Sequence, residues 1–185
     1  DEAVLMGIEG AGTRAYFQGF KTLFDASWEF NRRNRRPPRD PVNAVLSFAY
    51  SILAGQITGL IQAVGLDPYF GFLHRRKYGK PCLALDLMEV FRPVVADSVA
   101  LRLFATGMVS AGDFTRMDPP GRACLLAEKG RELFFREFAR RMKDTATHPV
   151  FGMTLPYRRL MEMEVRFLAK YLVGEIDRFR AYRVR

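Results

Sequence analysis

Histidine and cysteine are scarce in this chain, with two of each among 185 residues. Cys82 and Cys124 lie far apart and in no CxxC pattern, which excludes a disulfide framework and a zinc ribbon. Buried free thiols in a reducing, cytoplasmic setting are expected instead. No signal peptide opens the chain; it begins DEAVLMGIEG, which reads as the interior of a longer protein. No useful run of alternating apolar and polar residues occurs, nor any internal repeat, which argues against a sheet and a solenoid. Charge is missing altogether between Pro41 and Leu66. That run is long enough to cross a bilayer. Asn43, Ser47, Ser51 and Gly55, followed by Thr58, Gly59 and Gln62, put a small polar stripe on it. Such a stripe suits a helix at the centre of a bundle better than a membrane span, so no membrane partner is expected.

What the chain has in excess is apolar bulk and positive charge. Hydrophobic residues make up 49%, with 16 phenylalanines, which is enough for a packed core. The length suits a single domain over residues 1–185. A formal net charge of +9 asks for an anionic partner, most simply nucleic acid.

The spacing predicts helices almost throughout, an all-α bundle. Met6, Tyr16, Phe17, Phe20 and Phe24 mark a first helix near residues 3–25. RRNRRPPRDP interrupts it as an arginine-rich loop. Asp40 and Pro41 read as N-cap and first turn of the uncharged helix, and Gly65 as its stop. Residues 65–81 read as a loop. A helix from about Leu83 to Ala105, bent at Pro93, comes next. Leu126, Leu133, Phe134, Phe138 and Met142 mark another, and a last helix runs from about Pro156 to Tyr182.

Chemistry concentrates in few residues. Glu9 shares a helical stripe with Met6, Tyr16 and Phe20, so its carboxylate is expected on a buried face, where a cation or a salt bridge would have to offset it. Gly7, Gly10 and Gly12 leave room around it. Asp86 and Glu89 are neighbours on one helix face, and a divalent ion between them would relieve their repulsion. An internal pair of Glu89 with Arg92 is the alternative. His74 precedes Arg75, Arg76 and Lys77, with Lys80 close behind. An oxygen-rich set with one imidazole suits Mn²⁺ or Mg²⁺ better than a thiophilic metal. Arg32, Arg33, Arg35, Arg36 and Arg39 form a second basic cluster. Metal ligands set among cations are the composition of a phosphoryl-transfer site on a nucleic acid.

The phrases MGIEGAGTRAYF, NRRNRRPPRDPVNAVLSFAYSIL, GLDPYFGFLH and LALDLMEVFRP, in this order, resemble the Cas1 family, the CRISPR-associated integrase–endonuclease of spacer acquisition. They cover roughly Leu5 to Pro93. The resemblance implies the helical catalytic lobe of a longer protein, without the family's N-terminal β-rich domain and with room for an upstream Cas4 nuclease fusion. It implies a Mn²⁺ or Mg²⁺ site with Glu9, His74 and Glu89 as ligands, and Asp86 as an outer-shell or alternative ligand. Many relatives carry aspartate where Glu89 stands. The two basic runs supply the candidate DNA contacts Arg32, Arg33, Arg35, Arg36, Arg75, Arg76 and Lys77. The implied partners are a second copy, a small Cas2 dimer bridging two such dimers, and double-stranded DNA as spacer precursor and as repeat. The implied reaction joins 3′-hydroxyl ends to the repeat by transesterification. Against it stand a noncatalytic helical DNA-binding module and a helical scaffold subunit.

Overall fold

The computed structural model describes residues 2–74, 78–117 and 123–183. Its helices are α1 (Glu2–Lys21), α2 (Pro41–Ala63), α3 (Cys82–Met88), α4 (Ser98–Ala105), α5 (Glu128–Lys143) and α6 (Tyr157–Leu172). Four short strands complete it: β1 (Phe114–Arg116), β2 (Cys124–Leu126), β3 (Thr145–Thr147) and β4 (Thr154–Pro156). β1 pairs antiparallel with β2, Phe114 opposite Leu126; β3 pairs antiparallel with β4, Thr145 opposite Pro156. The all-α expectation is therefore corrected to a mixed, helix-dominated α/β fold. Each strand has three residues, too few to show a period-2 pattern against the apolar helices beside them.

Helix ends follow local chemistry. The Asp40 side chain accepts from the Asn43 backbone N–H at 2.8 Å, an N-cap for the Pro41 start. At the other end Gly65 takes φ +87° and Leu66 N–H reaches the Ile61 carbonyl at 3.0 Å, closing a Schellman turn. Residues Val42, Val45, Leu46, Ala49, Leu53, Ile57 and Ile61 on α2 are at most 1% exposed, while Ser51, Gly55, Gly59 and Gln62 face outward. By length and composition α2 is apolar enough to cross a membrane. Its first turns are buried on every side, Asn43 of the polar stripe included, and only from Ser51 onward does the stripe become an outer face. The bend expected at Pro93 is a π-helical turn, Arg92–Asp97, between α3 and α4. α6 ends at Leu172, before the predicted Tyr182, and Gly174 beyond it takes φ +77°.

The chain divides into two compact units. Residues 1–49 and 99–136 form the first. Its core is an aromatic cluster: Phe20, Phe24 and Phe30 meet edge to face, Phe24 and Trp28 reach Phe104, and Phe104 stacks on Phe114. Cys124 N–H bonds the Pro38 carbonyl at 2.8 Å, tying β2 to the arginine-rich loop.

Residues 50–98 and 137–185 form the second. Phe91 stacks on Tyr182 with ring centroids 5.6 Å apart. The Arg141 guanidinium donates to the Val94 carbonyl at 2.7 Å and lies over the Tyr157 ring. In the turn that joins β3 to β4, His148 meets Glu164 of α6 at 2.8 Å, both essentially without solvent exposure.

Candidate active site

The loop before α3 is held by one carboxylate. Asp86, on α3, accepts backbone N–H bonds from Phe72 (2.5 Å), Leu73 (3.0 Å) and His74 (3.1 Å). It also accepts from the His74 ring at Nδ1, 2.6 Å away. Three successive amides on one carboxylate make a tight cradle, and the ring contact fixes the imidazole as the Nδ1–H tautomer. Leu83 N–H returns a bond to the Pro68 carbonyl at 2.9 Å, fastening the loop at its other end. The loop can approach this closely only because residue 71 is glycine. A Cβ there would lie 2.7 Å from Asp86 Oδ2 and from the Cys82 backbone carbon. Since the helix backbone cannot give way, Gly71→Ala is expected to lift the loop and cost about 1–3 kcal/mol, read from urea unfolding.

His74 and Asp86 are thus brought together, and Nε2 of His74 points to no bonding partner among the described residues. A carboxylate on one ring nitrogen and a lone pair on the other is the usual preparation of a metal-binding imidazole, so this pair fits a divalent cation. Asp86 is consumed in that role, its side chain only 8% exposed. Glu89 sits at the end of α3 with both carboxylate oxygens on Arg92 Nη1, at 2.7 and 2.6 Å. Within this unit, among the described residues, no three His, Cys, Asp or Glu side chains gather tightly enough to hold a metal. What this unit offers a divalent ion is a prepared histidine, held by Asp86, and on the same helix a carboxylate, Glu89, already paired with Arg92.

Behind Glu89 runs a chain of contacts that sequence spacing does not reveal. The Arg92 guanidinium lies over the Tyr50 ring, 4.5 Å from its centroid, and the Tyr50 hydroxyl donates to Asp97 at 2.6 Å. Burial and the Asp97 charge push the Tyr50 pKa up. Burial works against the Arg92 charge, but attraction to Tyr50 and Glu89 outweighs it and raises the pKa. The available signal was Asp97, a lone acid in an apolar helical stretch.

Glu9 lies on α1 in the first unit and is exposed, as are Val4, Leu5, Met6 and Ile8. The buried face expected for it is not found: among the described residues, α1 buries only Phe17 and Phe20, in its second half. A Cβ at Gly7 or Gly12 would meet nothing within 4 Å among the described residues.

The basic loop also divides. Arg33 turns inward, donating to the Asn43 side chain at 2.8 Å, to Ser47 at 3.0 Å and to the Asn34 carbonyl. Asn43 in turn accepts from the Asn34 amide and donates to the Arg32 carbonyl, each at 2.9 Å. Arg32, Arg35, Arg36 and Arg39 are exposed. Arg75, Arg76 and Lys77 lie outside the described residues.

The sequence model of the family described as "CRISPR associated protein Cas1" matches residues 1–140. This chain belongs to the Cas1 family. A Cas4/Cas1 fusion protein of Geobacter sulfurreducens, described as an exonuclease–endonuclease fusion, is 47% identical over 182 residues, 95% of this chain. The chain spans only 32% of that relative's length. Among solved structures, a casposase bound to integration product matches with a TM-score of 0.88 and 26% identity, over 97% of this chain and 50% of the casposase chain. A chain of a Cas6-RT-Cas1–Cas2 complex matches with a TM-score of 0.83 and 27% identity, over 99% of this chain and 20% of its own length.

Proposed function

We infer that this Cas1 lobe carries the catalytic site of a DNA integrase–endonuclease that joins spacer DNA to a CRISPR array. The observation that carries the reading is the imidazole of His74 oriented by Asp86, which stands one helical turn before Glu89 on α3, in a chain of this family. His74 and Glu89, with Glu9, are the proposed ligands of a Mn²⁺ or Mg²⁺ ion; Asp86 is the residue that orients His74. Such an ion, when bound, would neutralise charge on a scissile phosphate and favour attack by a DNA 3′-hydroxyl. The protein's own part is to fix the imidazole tautomer, to hold the loop against α3 and to offer cations to the phosphate backbone. Arg32, Arg35 and Arg36 supply the latter as exposed side chains, and Arg33 as the brace that shapes their loop. The similarity to a casposase bound to integration product supports strand transfer over hydrolysis alone. The Cas1–Cas2 neighbour supports assembly with Cas2, and the fusion relative supports a link to a Cas4 nuclease; a second copy and a Cas2 dimer that bridges two such dimers on duplex DNA complete the proposed assembly.

The test is joining of 3′-hydroxyl DNA ends to a repeat duplex by the full-length protein. Joining should need Mn²⁺ or Mg²⁺, and Glu9→Ala, His74→Ala and Glu89→Ala should each abolish it while leaving DNA binding in place. Full activity in any two of these variants removes the ligand set. The Glu89–Arg92 pair also suits a noncatalytic DNA-binding module, which would bind DNA with no metal requirement and join nothing. Alanine at Arg32, Arg35 and Arg36 together should weaken DNA binding and flatten its dependence on salt by up to about three counterions. An unchanged salt slope would take this loop out of the DNA path.

A further inference from the structure

Resting on the proposed metal site, the geometry points to Arg92 as a positioning residue that acts on a metal ion through Glu89: it is a built-in cation that holds the Glu89 carboxylate and competes with a divalent ion for it. Glu89 brings both oxygens to a single nitrogen of Arg92, at 2.7 and 2.6 Å, so one lone pair on each oxygen is engaged. The guanidinium is not a surface group that swings away at little cost. Its side chain is 11% exposed against 33% for Glu89, and its face rests on the Tyr50 ring. That ring is fixed in turn by the hydroxyl bond to Asp97, itself 2% exposed. A carboxylate accepting from the tyrosine hydroxyl makes the ring a better seat for a cation. Asp97, Tyr50, Arg92 and Glu89 therefore form one chain running from the buried interior to the candidate ligand. Its consequence is double. Glu89 keeps one orientation with no metal bound, and a metal that takes an oxygen of Glu89 must do so beside a positive charge that stays.

A structural ion pair and a competing cation respond differently to neutralisation. If Arg92 only supports the fold, removing its charge loosens Glu89 and weakens the metal. If it competes, removing its charge tightens the metal while strand transfer falls, since Glu89 is no longer aimed. The experiment titrates Mn²⁺ into the full-length protein, following the free ion by electron paramagnetic resonance. Arg92→Gln, or Arg92→Met if the first variant does not fold, should bind Mn²⁺ at least fivefold more tightly than the parent. Arg92→Lys, which keeps the charge, should stay within twofold. Both neutral variants should join DNA at least tenfold more slowly at saturating Mn²⁺. In the Glu89→Gln background the gain from neutralising Arg92 should vanish, because the two residues act through one contact. A measurement on the unmutated protein stands beside these: the side-chain Nε–H signal of Arg92 should shift during a Mg²⁺ titration and should not shift in Glu89→Gln. Weaker or unchanged Mn²⁺ binding in the neutral variants, or a Nε–H signal that ignores Mg²⁺, overturns the proposal. If Glu89→Gln itself leaves Mn²⁺ affinity unchanged, the ligand set has failed instead, and the role of Arg92 falls with it.

Discussion

Asp86→Ala is expected to lower strand transfer by about 100-fold or more, although Asp86 is proposed to touch neither metal nor DNA. Its carboxylate receives the Phe72, Leu73 and His74 amides and the His74 ring, at distances from 2.5 to 3.1 Å. Alanine leaves these donors without an acceptor. It also frees the imidazole to rotate and to exchange tautomers, so Nε2 no longer stays a lone pair facing one direction. Loss of such a supporting partner costs 10–100-fold in metal affinity or activity, and in this site the loop is released as well. Asp86→Asn should fall between, because its amide oxygen still accepts from backbone while its NH₂ confronts donors. The check is single-turnover joining at saturating Mn²⁺ together with a Mn²⁺ titration. A variant that retains both within threefold would show that the loop holds its form without Asp86.

His148→Ala is expected to cost about 3–5 kcal/mol of stability near pH 8, the penalty of stranding one member of a buried pair. His148 and Glu164 lie 2.8 Å apart at 0% and 1% side-chain exposure. Burial pushes the Glu164 carboxyl above its ordinary pKa, against the opposing pull of the His148 ring and the Tyr182 backbone. Raised folded pKa means that this group favours the fold most fully below the ordinary glutamate value. The benefit is lost as pH climbs through the folded value. Removing His148 deletes the opposing pull and raises the carboxyl further. The damage should thus be greatest at pH 8 and shrink toward pH 5.5, where Glu164 can take up a proton. Urea unfolding at the two pH values measures it; a deficit that is equal at both, or larger at the lower, would rule out a stranded Glu164 charge as the cause.

How far these features could be read in the sequence depends on how local their causes are. Asp40–Pro41 and Gly65 bound α2 through contacts a few residues apart, and both ends stand where the sequence puts them. The single helix expected from Leu83 to Ala105 is instead interrupted at residues 89–91 and continues through the π-helical turn Arg92–Asp97, which holds Pro93, into α4. β1 through β4 were not legible, because three residues carry no period and each strand is defined by a partner along the chain. α6 kept an apparent helical spacing through Ile176 and Phe179, which concealed the stop beside Gly174.

At the site the same division holds. Asp86 and Glu89 share α3 and its end by spacing alone, but spacing could not assign their work. The pair of Glu89 with Arg92 is the alternative that spacing offers, and the structure shows it; that Asp86 holds the loop follows from the chain returning at residues 72–74, and Tyr50 beneath Arg92 comes from a distant helix. The stripe that holds Glu9 predicts a buried carboxylate. Yet a stripe shows only which residues lie in line, and Val4, Leu5, Met6, Ile8 and Glu9 are exposed among the described residues. Arg33 could not be told from Arg32 or Arg35 by composition; what singles it out is the buried Asn43 that needs its bond.

The brace at Arg33 bears on the speed of binding. Arg33, Asn34, Asp40 and Asn43 are already bonded to one another, so the loop that presents Arg32, Arg35 and Arg36 has its shape before a polyanion arrives. Little main-chain freedom then remains to be surrendered on contact, and the exposed guanidiniums act as a fixed electrostatic beacon rather than a tether that must first be reeled in. Encounter should run close to the diffusive rate at low salt, and Asn43→Ala should slow capture of DNA while leaving every exposed arginine in place.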